Sequence, residues 1–162
     1  MKSDFPLIMA SCVYIHQPMT GANSEQPDYR ECAMVSARMA ARALTRLANR
    51  KLKPYGYTAP QFSLLAAIHS AREVSIPALA EELAMERTTL IRNLRLLEER
   101  GLVAPVDPDK GSRSHKLTPE GKEALNNLVP LWRAFQQDLR DQFGAENIRN
   151  SVKTMRRLSG RE

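Results

Sequence analysis

Apolar residues recur along this chain at helical intervals, in stretches bounded by residues that start and stop helices. Residues 28–53 hold no Pro or Gly and are dense in Ala, Leu, Arg and Met, the strong helix formers. Val35, Met39, Leu44, Leu47 and Leu52 lie near the helical period, which predicts one long amphipathic helix closed by Pro54 and Gly56. Thr58 is placed to cap a second helix reaching about Ser70, with Phe62, Leu64, Leu65 and Ile68 on its buried side. Ser75 caps a third, in which Ile76, Leu79, Ala80 and Leu83 follow at i, i+3, i+4 and i+7. A fourth starts after Glu86 and turns Leu90, Leu94 and Leu97 inward, with Gly101 as its left-handed stop.

The pattern then changes period. Residues 102–106 and 114–117 are short extended runs, and the tip between them, Asp107 to Ser112, holds Pro, Gly and Asp. This predicts a hairpin whose tip is longer than a tight turn needs. Thr118, Pro119 and Glu120 open a fifth helix as cap, first-position proline and an acid set against the macrodipole. Leu125, Leu128, Trp132, Phe135, Leu139 and Phe143 form its expected buried stripe, with a kink at Pro130 and an end at Gly144. A last helix carries Ile148, Val152, Met155 and Leu158 on one side, among Arg149, Lys153, Arg156 and Arg157. The order helix, helix, helix, hairpin is that of a winged helix-turn-helix, so the expected fold is mainly α with a small β-wing. Its flanking long helices are too apolar on one side to stand alone. Packing them together and against a second copy buries both stripes, which predicts a homodimer. The two reading helices would then sit about 34–36 Å apart on a pseudo-palindromic duplex. The expected division is an extension at 1–27, a first dimerisation helix at 28–56, the winged module at 57–118, and dimerisation helices at 119–162.

Composition narrows this picture. The chain has 162 residues, 43% apolar and 26% charged, which suits one folded domain with appendages and excludes wholesale disorder. The formal charge of +6 suits a polyanionic partner without proving one. No run approaches the roughly 18 apolar residues of a spanning helix, so no membrane partner is expected. The N-terminal patch from Phe5 to Ile15 is broken by Pro6 and preceded by Asp4, a poor secretory signal, and the expected location is cytoplasmic. Met9 and Met19 are alternative starts to Met1. Two cysteines are too few for a disulfide scaffold. His16, His69 and His115 lack metal-ligand spacing, and no glycine-rich phosphate loop or nucleophile elbow occurs, so neither an enzyme nor a cofactor is expected.

The candidate chemistry lies on the fourth helix. With its leucines inward, Thr88, Arg92, Arg95 and Glu99 face out, flanked by Thr89, Asn93 and Leu96. Arg can bond a guanine edge twice and Asn an adenine edge, while Thr reaches a base, a phosphate or a thymine methyl. Thr88, Thr89, Arg92 and Asn93 are therefore the expected base readers, with Arg87 or Arg95 on the phosphate backbone. Residues 85–100 carry four Arg against three Glu, a net of +1 that equally describes an ordinary solvated face. The helix-turn-helix spacing and the hairpin favour DNA. Lys110 and Arg113 at the wing tip are candidates for the minor groove or the phosphates, Arg113 foremost.

Thr58 to Leu125 resembles the multiple-antibiotic-resistance-regulator (MarR) family of winged helix-turn-helix repressors. The marks are Pro60-Gln61-Phe62-Ser63-Leu64-Leu65, Leu79-Ala80-Glu81-Glu82-Leu83 and Arg87-Thr88-Thr89-Leu90. Further on stand Leu97-Glu98-Glu99-Arg100-Gly101-Leu102-Val103 and Leu117-Thr118-Pro119-Glu120-Gly121. The resemblance implies a homodimer that binds double-stranded operator DNA, usually represses, and is released by a small anionic or phenolic effector or by oxidation. By position it nominates Arg38, Arg42, Tyr55 and His69 for the effector. Arg38, Arg42, Arg46 and Arg50 also form a four-residue stripe, which reads better as a solvated or dimer-bridging face. Cys32, near the positive start of the first helix, is the candidate redox thiol, with Cys12 as its resolving partner. The family wing often holds Asp, one residue, then Arg; here Gly111-Ser112-Arg113 stands instead, without the bracing acid. The alternatives are a cysteine-based redox regulator and a winged helix that only binds proteins. A protein-binding module would not discriminate specific from non-specific DNA by the ~10³ or more of a repressor.

Overall fold

The computed structural model describes residues 28–106 and 114–160, and the chain divides into two compact parts, Met1–Met39 and Ala40–Glu162. In the first part, Asp28 Oδ1 accepts the Arg30 amide at 2.9 Å and starts a single 3-10 turn, Tyr29–Glu31. Cys32 follows and leads into α1 (Ala33–Leu52), a helix that continues into the second part.

In the second part, the end of α1 passes into a 3-10 turn, Lys53–Tyr55, and then α2 (Ala59–Ala71) begins. Its start is a capping box. The Gln61 amide donates to Thr58 Oγ1, and the Thr58 amide donates to Gln61 Oε1. Asn49 Oδ1 takes a third orphan donor, the Ala59 amide, at 2.7 Å. Strand β1 (Val74–Ser75) precedes α3 (Ile76–Glu82), which Ser75 caps by accepting from Ala78. Next come α4 (Arg87–Glu99), β2 (Val103–Pro105), β3 (Ser114–Leu117), α5 (Pro119–Phe143) and α6 (Ala145–Leu158). Thr118 caps α5 through the Gly121 amide, as its sequence predicts.

The expected hairpin is the larger part of a three-stranded antiparallel sheet in the order β1-β3-β2. Val103 pairs with Leu117 and Ala104 with Lys116 across the hairpin, and Val74 pairs with His115 on the other side of β3. A two-residue strand has no alternation to read, which is why β1 escaped the sequence reading.

The leucine pattern sets the core. Leu64, Leu65 and Ile68 of α2, Leu79 of α3, and Leu90, Leu94 and Leu97 of α4 are buried together with Leu125 and Leu128 of α5. Each such side chain contributes on the order of 1.5–3 kcal/mol. Gly121 is required by close approach: a Cβ there would stand 1.9 Å from the Leu102 carbonyl oxygen. Further along α5 the expected stripe divides. Phe135 and Leu139 are buried, but Trp132 is 44% and Phe143 46% exposed. The helix continues through Pro130, which stands on its exposed side. On α6 no residue is buried; Val152, Met155 and Leu158 stand exposed.

Candidate nucleic-acid interface

The site is built on α4, and its rigidity comes from below. Leu90, Leu94 and Leu97 are at most 2% exposed and fix which side of the helix faces out. Thr88, Arg92 and Arg95 stand on the exposed side, with Arg87 exposed in the first turn. Arg95 Nε lies 3.3 Å from Glu99 Oε1, an exposed i, i+4 pair worth only about 0.3–0.5 kcal/mol, so the guanidinium is easily drawn away. Glu86 gives the helix no side-chain cap. The first-turn amides are therefore open to a phosphate oxygen.

Two positions differ from expectation. Asn93 does not join the outward group: it is 9% exposed, and its Nδ2 donates to the Thr89 carbonyl at 2.8 Å. It lies between Leu90 and Leu97 on the helix surface, and bonding its own preceding turn satisfies an amide that would otherwise be buried unpaired. Thr89 is half-buried above it. Ile91, an apolar residue outside the leucine stripe, is 40% exposed and shares the outward side with Thr88, Arg92 and Arg95. The i, i+3 step from Thr88 to Ile91 was the available signal.

The turn before α4 and the end after it share one device. Met85 donates to the Ala80 carbonyl and Ala84 to that of Glu81, while Leu102 donates to Leu97 and Gly101 to Glu98. Both are Schellman closures, with Ala84 (φ +46°) and Gly101 (φ +68°) in the left-handed position.

The sheet is tied to the same helix. His115 of β3 is 6% exposed, and its Nε2 lies 2.7 Å from Glu98 Oε1. Glu98 thus has a structural use that sequence reading assigned to a solvated face; the partners are 17 residues apart, outside any local pattern. Lys110 and Arg113 lie outside the described residues.

The effector nominees fall in both parts of the chain. Arg38 is exposed in the first part. In the second part Arg42, Tyr55 and His69 are exposed. His69 borders a cavity of about 790 Å³ with Phe62, Ala66, Trp132 and Arg133, and neither Arg42 nor Tyr55 lines it. Trp132 and Phe62 also line a neighbouring space of about 150 Å³ against Ala48 and Leu52. Cys32 is half-buried, and Cys12 lies outside the described residues. Among the described residues, no group of three His, Cys, Asp or Glu is arranged to hold a metal. Nor is any described helix long and apolar enough to cross a membrane.

Comparison with known proteins agrees with this geometry. A profile of the MarR family matches residues 55–114. An HTH-type transcriptional regulator of Bacillus cereus is 29% identical over 96 residues, 59% of this chain and 65% of its own length, so the match spans just under two thirds of that relative. The crystal structure of the M. tuberculosis transcriptional regulator MosR is 34% identical, with a TM-score of 0.70 over 82% of this chain and 98% of MosR. The same regulator in complex with DNA matches at 34% identity and a TM-score of 0.64, over 80% and 98% of the two chains. Bordetella bronchiseptica BpsR, whose DNA binding is regulated by 6-hydroxynicotinic acid, shares the fold at 21% identity and a TM-score of 0.73, over 85% and 99%. With its capped helices, three-stranded wing sheet and outward α4 in place, this chain belongs to the MarR family, whose members are transcription regulators rather than enzymes.

Proposed function

We propose that the protein is a homodimeric repressor that places α4 in the major groove of each half of a pseudo-palindromic operator. The observation that carries this reading is the outward row Thr88, Ile91, Arg92 and Arg95 on a helix whose opposite side is locked by buried leucines. In this reading Arg92 meets a guanine edge, Ile91 a thymine methyl, and Arg87 and Arg95 the phosphates. Thr88 contributes a hydroxyl to a base or phosphate, and Thr89 its half-exposed edge. Asn93 serves to fix the turn beneath them. Lys110 and Arg113 extend the contact to the flanking backbone or minor groove. The exposed apolar side of α6 supports the dimer, and the DNA-bound structure of MosR supports the ligand class.

A small anionic aromatic effector is the proposed release signal. Arg133 brings a cation to the lining of the 790 Å³ cavity, which also holds the Glu82 carboxylate, and Phe62 and Trp132 give it flat walls. The reading is supported by BpsR, of like fold, whose DNA binding is regulated by 6-hydroxynicotinic acid.

The test is selection of bound duplexes from a random pool, then measurement of Arg92→Ala on the selected site. The expected loss is ~1–3 kcal/mol, with relaxed preference at one base pair. Selection of no sequence by the parent protein, or unchanged affinity of the variant, refutes the assignment.

A further inference from the structure

Arg100, the last residue before the Gly101 stop, reaches back across 44 residues to the chain segment that joins α1 to α2. Its Nη1 donates to the Gly56 carbonyl at 3.0 Å, and its guanidinium lies 4.2 Å from the centre of the Tyr57 ring. One side chain thus makes two different contacts with two consecutive residues. The segment it holds is already closed on itself, since Gly56 donates to the Lys53 carbonyl and Tyr57 to that of Leu52. What Arg100 grips is a stiff continuation of α1 rather than a loose loop.

We propose that Arg100 is a positioning residue that sets the angle between the dimerisation helix α1 and the reading helix α4, and thereby the half-site spacing the dimer accepts. The inference rests on the proposed function and adds a determinant of specificity that touches no base. Geometry gives the effect leverage. With 13 residues, α4 is roughly 20 Å long, so a tilt of about 10° at its anchored end moves its first turn by roughly 3–4 Å, about one base-pair step. Base contacts lie in that first turn and a half, and the anchor lies at the other end. Loosening the anchor therefore blurs where the helix lands while leaving what it reads intact.

The experiment compares operators with the selected spacing against the same half-sites moved apart or together by one base pair. The parent protein is expected to prefer one spacing. Arg100→Ala is expected to shrink that preference by about tenfold, the order of one charge-assisted hydrogen bond with its ring contact, while the base ranking within a half-site stays the same. Arg100→Lys, which keeps a donor and a cation over the ring, should recover most of it. An unchanged spacing preference in Arg100→Ala, or a changed base ranking, overturns the proposal while the regulator reading stands. Amide exchange over residues 53–58 in DNA-free protein judges the grip separately. Faster exchange in Arg100→Ala and parent-like exchange in Arg100→Lys supports it, and no change in Arg100→Ala overturns it. A parent protein that selects no DNA sequence instead refutes the regulator reading, and the exchange result still decides the latch.

Discussion

The reading module and the C-terminal helix solve the same problem in opposite ways. In α2, α3 and α4 the apolar stripe is closed within one chain, and seven large side chains across α2–α5 are almost fully enclosed. In α6 the stripe is equally regular, yet Val152 is 46%, Met155 44% and Leu158 73% exposed. The difference lies in the neighbours. Helix α4 lies against α2, α3 and β2, whereas α6 packs along α5 and leaves its other side open. A regular stripe shows which side of a helix wants burial, and only the topology shows whether the same chain can provide it. The module should accordingly hold together at any protein concentration. The C-terminal region should depend on a second copy.

The largest effect should come from the closed region. Leu97, fully buried beneath the proposed interface, is expected to lose ~2–5 kcal/mol of stability on replacement by Ala. Chemical denaturation should show that loss unchanged over a wide range of protein concentration. A loss that grows on dilution would mean that the module is not self-sufficient.

The open region should answer differently. Val152→Asp puts a charge into the proposed dimer face of each copy and should cost ~2–3 kcal/mol of association. Light scattering is expected to show monomers at concentrations where the parent is dimeric, with the circular dichroism of the module retained. A variant that stays dimeric places the interface elsewhere.

What could be read from the residues divides along the same line. Caps are local chemistry, so Thr58, Ser75, Thr118 and Gly101 were legible, each bonding within a few residues of itself. Leucine periodicity placed most of the core correctly, because burial follows the helical period wherever a neighbour exists. The misses required knowledge of neighbours. Trp132 and Phe143 continue the α5 stripe, but the described chain covers each only in part, leaving nearly half of it exposed. Glu98 meets His115 and Arg100 meets Gly56 across loops that periodicity does not span. Asn93 has the chemistry of a base reader, and its inward turn depends on where its own amide finds a carbonyl. The DNA-facing side was therefore legible as a side of a helix, and its membership only in part.

The smallest effect tests a residue that breaks a local rule. Ala84 and Gly101 occupy the same left-handed position in two successive Schellman closures, one before α4 and one after it. Glycine adopts that conformation freely, whereas an L-residue pays roughly 1–2 kcal/mol for it. The Ala84 side chain is exposed, so replacement by Gly removes strain without opening a void. Greater freedom in the unfolded chain offsets part of the gain, leaving ~0.5–1 kcal/mol and a rise of about 1–4 °C in Tm. Gly101→Ala, with open space around its Cβ, should lose a comparable amount through the same strain. Thermal scans of both variants at one protein concentration decide this, and equal destabilisation by the two changes would show that the Ala84 methyl contributes something its exposure does not reveal. If Ala84→Gly gains stability yet binds operator more weakly, the strained turn holds the start of α4 at its reading angle, as Arg100 is proposed to hold its end.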